Sequence, residues 1–304
     1  MDVNPVHVRT LEAIARSGSF SRAGETLHLS QPAISHHVRH LERAVGVPLL
    51  IRRGRRAAPT EAGALLLEHA GRAFRVLDEA REAIQRLQGR VAGRVTVGTG
   101  ATASIYLLPA ILRGLRARHP RLELVVVTGN ADEIAAAVSR GELDVGVVTL
   151  PVAVGRGLLV SPFYADRLVA IAPPGGRRTR RASMTAAELA REPVILYERG
   201  GTIRRVVDDW FRRGRATPHV AMELGNAEAT KKLVGAGLGL SIVSEIAVKA
   251  DARAGALSLI PLRPALHRRI GIVRRRDRAP RPALQALVTA LEAAANRARG
   301  GANP

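Results

Sequence analysis

From Val91 onward the chain alternates short β-rich runs with helical stretches, and this rhythm restricts its fold more than any other feature. The runs are RVTVG, LELVVV, LDVGVV, LVAIAP, PVILY, HVAMEL, LGLSIV and RRIGIV. Helix-forming stretches separate them, among them Ala131 to Ser139, Arg204 to Phe211 and Ala227 to Val234, and Pro282 to Arg297 follows the last run. Alternation of this kind predicts parallel strands with crossover helices, an α/β architecture over residues 91–304. At about 150 residues per domain, a chain of 304 residues has room for a second unit ahead of it.

Residues 1–58 follow a different pattern. Nine Arg meet only four acids there, and five of the nine His lie in the same segment. Asn4-Pro5 reads as a helix cap followed by a first-turn proline, with Val8, Leu11, Ile14 and Ala15 on one face until Ser17-Gly18. A short second helix is expected with Ser21 as cap, then a tight turn at His28-Leu29. A third helix starts at Ser30 with Pro32 in its first turn. On that helix Ile34, Val38 and Leu41 share the buried face, which leaves Pro32, Ser35, His36, Arg39, His40 and Arg43 on the opposite face, and with Ser30 and Gln31 at the helix start these are the expected DNA contacts. A polar helix face of this width fits the major groove of B-DNA, where Arg can fork onto guanine. Pro48 to Ile51 reads as a strand and Gly54 as its turn, so Arg52, Arg53, Arg55 and Arg56 crown a wing suited to phosphates. The unit is a winged helix-turn-helix.

Thr60 to Gln88 contains no Pro and nearly balanced charge, and it is expected as one long helix. Ala62, Leu66, His69, Ala73, Val76, Ala80, Ala83 and Leu87 follow the 4-3-4-3 spacing of a coiled-coil seam, which predicts a dimer contact. The other reading is an amphipathic helix packed on its own domain.

The segment LEAIARSGSFSRAGETLHLSQPAISHHVRHLERAVGVPLLIRRGRRAAPTEAG resembles the DNA-binding domain of LysR-type transcriptional regulators along its whole length. It departs from the family pattern at Gly24, Leu50 and Pro59, where a second Ala, Phe and Leu are usual. YLLPAILRGLRARHPRLELVVVTGN, RGELDVGVV, PFYADRLVAIAP and ATKKLVGAGLGLSIVSEIAV resemble the family's effector domain. The resemblance implies an α+β multidomain chain. Its parts are a winged helix-turn-helix over 1–58, a linker and dimerisation helix over 59–90, and a periplasmic-binding-protein-like effector domain over 91–304. That domain would divide into subdomain I, 91–161 and 268–304, and subdomain II, 162–267, with crossings near Ser161 to Phe163 and near Leu266 to Arg268. Promoter DNA and a small-molecule effector are the implied partners, and a homodimer or homotetramer the implied assembly.

The resemblance places the effector in the cleft between the subdomains, and chemistry then selects the residues. Thr99, Gly100, Ala101, Thr102 and Ser104 lie where the first strand enters a helix. Thr128, Asn130 and Thr149 lie at strand ends, and Gly201, Thr202 and Asn226 open later helices. Hydroxyls and unpaired N–H groups at such places favour an anion, so the expected effector is small and anionic.

Another reading starts from Gly98 to Ala103, which matches the dinucleotide fingerprint G-x-G-x-x-A between a strand and a helix. An oxidoreductase built on it needs an acid at the end of the second strand, where this chain has Thr128-Gly129-Asn130. A solute-binding protein would share the fold but is usually exported. The first twenty residues hold no apolar stretch of signal-peptide length, and no run of about 18 apolar residues occurs, so a cytoplasmic chain without membrane contact is expected.

The formal charge of +21 suits a phosphate polymer, although all but three of the 47 basic residues are Arg, and composition alone does not separate a binding surface from Arg-rich usage. Absence of Cys removes disulfides and thiolate metal sites. His36 and His40 share a helical face, but His37 stands where a metalloprotease pattern needs Glu. No metal, cofactor or enzymatic activity is expected.

Overall fold

The computed structural model describes residues 3–53, 56–86, 91–153, 155, 157–175, 182–276 and 281–300. These residues belong to two compact units, Met1–Ala83 and Ile84–Pro304.

In the first unit α1 (Pro5–Ser17) starts at Asn4, whose side chain accepts from Val6 N, and stops at Gly18 in the left-handed region. Helix α2 (Phe20–Leu27) starts at Ser19, not at the expected Ser21. Ser19 holds the extended backbone of a cap and accepts from Arg22 N, whereas Ser21 already lies within the first turn. Helix α3 (Gln31–Val45) is capped by Ser30, which accepts from Ala33 N. Ile14, Ala23, Ile34 and Val38 bury one apolar cluster between the three helices, and Val8, Leu11, Leu41 and Leu49 bury a second.

The wing is the antiparallel pair β1 (Leu50–Arg53) and β2 (Arg56–Pro59). It starts two residues later than expected because Leu49 is committed elsewhere: its side chain is buried and its N–H goes to Glu42 Oε1 at 2.9 Å. Helix α4 (Glu61–Arg86) follows, with Thr60 Oγ1 accepting from Gly63 N at 3.0 Å. A Cβ on Gly63 would stand 2.0 Å from the Leu49 carbonyl oxygen, so only glycine permits this approach of α4 to the wing. Ala62 and Leu66, expected in an intermolecular seam, instead pack with Leu67, Ala70 and Phe74 on the Val8–Leu11–Leu41–Leu49 cluster. The start of α4 completes the core of its own unit.

The second unit is built on β3 (Gly93–Thr99), β4 (Leu122–Thr128), β5 (Val145–Leu150), β6 (Leu158–Ala172), β7 (Pro193–Tyr197), β8 (His219–Leu224), β9 (Leu240–Ser244) and β10 (Ser258–Arg275). They form one sheet in the order β4-β3-β5-β10-β6-β9-β7-β8. The expected parallel pairing holds for β3 with β4 and β5, and for β7 with β8 and β9. It fails at the centre, where β10 runs antiparallel to β5 and β6, and β6 antiparallel to β9. These two long strands pass through both halves of the unit. Helices α5 (Ala101–Tyr106), α6 (Leu108–Arg118), α7 (Ala131–Arg140) and α12 (Pro282–Gly300) belong to the first half. Helices α8 (Ala186–Ala190), α9 (Thr202–Arg213), α10 (Ala227–Gly235) and α11 (Glu245–Arg253) belong to the second. Val95, Val97, Val147, Leu287 and Leu291 are buried in one half, Leu168, Leu196, Trp210, Phe211 and Ile242 in the other.

Candidate DNA-binding face and effector cleft

On α3, Gln31, Pro32, His36, Arg39 and Arg43 are exposed, and so is the capping Ser30; Ser35 and His40 are half-buried. Arg39 Nε donates to the Ser35 carbonyl at 3.3 Å, which leaves its terminal nitrogens to the outer face. Arg56 is exposed on β2; the side chains of Arg52 and Arg53 and the whole of Gly54 and Arg55 lie outside the described residues.

Sequence reading set His36 and His40 on the outward face of α3, whereas the structure brings His40, together with His37, against His7 of α1. His7 stacks on His37 with ring centroids 4.3 Å apart, and its ring meets His40 at 4.9 Å. Thr10 Oγ1 lies 2.8 Å from His37 Nδ1. Burial first, then the neighbouring charges of His36 and His40, hold the His37 pKa below its ordinary value. Among the described residues no group of three or more His, Asp or Glu is placed to hold a metal ion.

In the second unit a cleft of about 510 Å³ opens between the two halves of the sheet. Gly100, Ala101, Thr102, Thr128, Asn130, Thr149, Gly201, Thr202 and Asn226 line it. Thr99 and Ser104 are not in this lining. Thr99 is buried and its hydroxyl donates to the Val147 carbonyl at 2.9 Å, while Ser104 Oγ donates to Ala101 O at 2.8 Å. Asn130 and Asn226 spend their side-chain oxygens as caps, accepting from Glu133 N and Ala229 N. By contrast α9 starts at Gly201 with no side-chain cap, so its first-turn amides keep no side-chain acceptor. Thr202 Oγ1 accepts from Arg205 at 2.8 Å, which leaves its own proton to give. Arg205 also pairs with Asp132 of α7 at 3.1 Å, so a contact joins the two halves beside the cleft.

Sequence reasoning missed Tyr197, Glu198, Arg199, Arg268 and Ile270, which line the same cleft. Two arginines against one acid give the described lining a positive balance. Arg268 is buried on β10 and donates through Nε to Asp166 Oδ2 at 2.6 Å, while Ser244 Oγ donates to Asp166 Oδ1 at 2.8 Å. One signal was present in the sequence: Asp166 interrupts the apolar run of β6, and an acid in such a run needs a partner. The glycine fingerprint has a packing explanation. A Cβ on Gly98 would lie 2.6 Å from Leu143 and 2.7 Å from Ile134, so that glycine lets α7 close on β3.

With this geometry in place, comparison with known proteins is direct. The family model for the LysR substrate binding domain matches residues 88–296, and that for the bacterial regulatory helix-turn-helix protein, lysR family, matches residues 6–64. The chain belongs to the LysR family of transcriptional regulators. A probable RuBisCO transcriptional regulator of Trichormus variabilis is 33% identical over 260 residues, 84% of this chain and 77% of the relative. Full-length CbnR complexed with its target DNA is a structural neighbour with a TM-score of 0.72 and 22% identity, covering 96% of this chain and 100% of that one. The regulatory domain of Synechocystis CcmR in complex with 2-PG has a TM-score of 0.61 and 23% identity, over 66% of this chain and 97% of that domain. The first unit is the DNA-binding helix-turn-helix of a LysR regulator and the second its substrate-binding domain. Among the described residues no helix is long and apolar enough to cross a membrane.

Proposed function

We propose that this LysR regulator binds promoter duplex through the outward face of α3 and the wing, and senses a small anion in the cleft of its second unit. The carrying observation is that α9 opens onto the cleft at Gly201 without a side-chain cap, presenting backbone donors and the Thr202 hydroxyl at the positive end of a helix dipole. The 2-PG (2-phosphoglycolate) bound by the CcmR regulatory domain is an anion of the size this reading requires. Ser30, Gln31, Pro32, Ser35, His36, Arg39, His40 and Arg43 are the proposed base and phosphate contacts, with Arg52, Arg53, Arg55 and Arg56 neutralising backbone. The chain acts in the cytoplasm as a homodimer or a homotetramer, and by binding rather than catalysis. The oxidoreductase reading loses its support because Gly98 is explained by packing.

Isothermal titration of the full chain with 2-phosphoglycolate tests the cleft. Thr202→Val removes one hydroxyl and keeps the shape, so effector affinity should fall by about 1.5 to 3 kcal/mol with the unliganded DNA affinity unchanged. Equal affinity in both proteins, or a best ligand that is cationic, contradicts the anion reading.

A further inference from the structure

Two residues that line the cleft each carry a buried donor that no described residue uses. Tyr197 Oη and Arg268 Nη2 are both enclosed, their residues 8% and 5% exposed, and neither has a hydrogen-bond partner among the described residues. Native folds rarely orphan such groups, and a charged donor is the costliest to orphan. Both residues line the cleft, so the partner each lacks can come from a molecule inside it.

The surroundings hold the two donors in place. Asp166 takes the Nε edge of Arg268 at 2.6 Å and is itself held by Ser244, both within the buried centre of the sheet where β6 pairs with β10. The Tyr197 backbone carbonyl accepts from Arg204, whose guanidinium is also bound by Asp208 and Glu223. Burial pushes the Tyr197 phenol up to about 12, so it stays a neutral donor at any working pH. A guanidinium N–H and a phenolic O–H carried by two residues of one cleft lining suit a group with more than one acceptor oxygen, such as a carboxylate or a phosphate. A cationic or purely donor group would meet the Arg268 charge with nothing to offer it.

We infer, resting on the reading of the cleft as an effector site, that Arg268 and Tyr197 together hold the oxyanion group of a small-molecule effector, with Asp166 and Ser244 as positioning residues. This assigns the charged end of the ligand to the β10 and β7 side of the cleft and leaves the rest of it to the start of α9.

Calorimetric titration of the full chain with inorganic phosphate, glycolate and 2-phosphoglycolate tests the assignment, the first two separating a phosphate from a carboxylate as the anchored group. Tyr197→Phe removes a hydroxyl that bonds none of the described residues, so the unliganded variant should melt at or above the wild-type temperature. Its affinity for whichever probes bind should fall about tenfold or more. Arg268→Lys keeps a cation beside Asp166 but loses the second edge of the fork, and should show the same loss; if it does not fold, Tyr197→Phe decides alone. If Tyr197→Phe and Arg268→Lys bind like wild type while Thr202→Val weakens binding, the anchor assignment is overturned and the cleft reading stands. If wild type binds none of the three anions, the cleft reading falls and the anchor with it.

Discussion

Arg268 shows how a single residue acquires a role through a partner far along the chain. Its carboxylate partner, Asp166, lies 102 residues away, on the strand paired with its own. Asp166 was visible in the sequence as an acid in a largely apolar strand, whereas Arg268 stood unmarked among His267 and Arg269; their pairing was not legible, because the register of β6 against β10 is a tertiary fact. His37 is the corresponding case in the first unit. Its pKa is held below the ordinary 6.5 by burial and by His36 and His40, so the folded chain binds fewer protons than the unfolded one as pH falls. That contribution to stability is present above pH 6.5 and is lost as pH drops through 6.5 toward the folded value. Calorimetric melting of the full chain from about pH 8 to about pH 5.5 should show the first unit weakening. His37→Gln should flatten the dependence, and an identical slope in the variant contradicts the assignment. The outward positions of α3 could be read from its buried Ile34, Val38 and Leu41; the approach of His7 could not, since it depends on how α1 crosses α3.

Helix α4 carries two faces that one heptad count merged. Ala62, Leu66, Leu67, Ala70 and Phe74 pack on their own unit, while Leu65, Val76, Leu77 and Ile84 are left exposed, between 52% and 62%. Leu87, the last residue of the expected seam, lies outside the described residues. A second copy of this chain is the proposed cover for this exposed face, of whose four apolar residues only Val76 belongs to the expected seam. Val76→Asp with Ile84→Asp should therefore split the oligomer in sedimentation while the first unit still melts as wild type. Leu66→Asp should instead destabilise the first unit itself, because it buries a charge. A double variant that sediments as wild type contradicts the dimer face. At this scale the Pro-free, charge-balanced stretch marked the helix, which is described over Glu61–Arg86, but not which stripe the wing and α1 would claim. The long strands illustrate the same limit: LVAIAP and RRIGIV were legible as strands, while their extension to Leu158–Ala172 and Ser258–Arg275 and their antiparallel pairing were not. An apolar run reads alike whichever way its neighbour points.

At the level of the whole molecule, the chain joins a unit that reads DNA to a unit that binds a small molecule. Regulation requires that these two events be coupled. Coupling between two sites is a free energy, and it is reciprocal: if the effector changes DNA affinity by some factor, DNA changes effector affinity by the same factor, commonly about 5- to 150-fold. An effector can shift the protein only by its differential affinity for two states, so tight binding to the cleft without such a difference would regulate nothing. The decisive measurement is calorimetric titration of the full chain with 2-phosphoglycolate, with and without a saturating duplex selected from a random pool. It is paired with the reverse titration of that duplex at saturating effector. The two affinities are expected to change by one common factor, greater or less than unity. An effector that binds with the same dissociation constant whether or not DNA is present would contradict it.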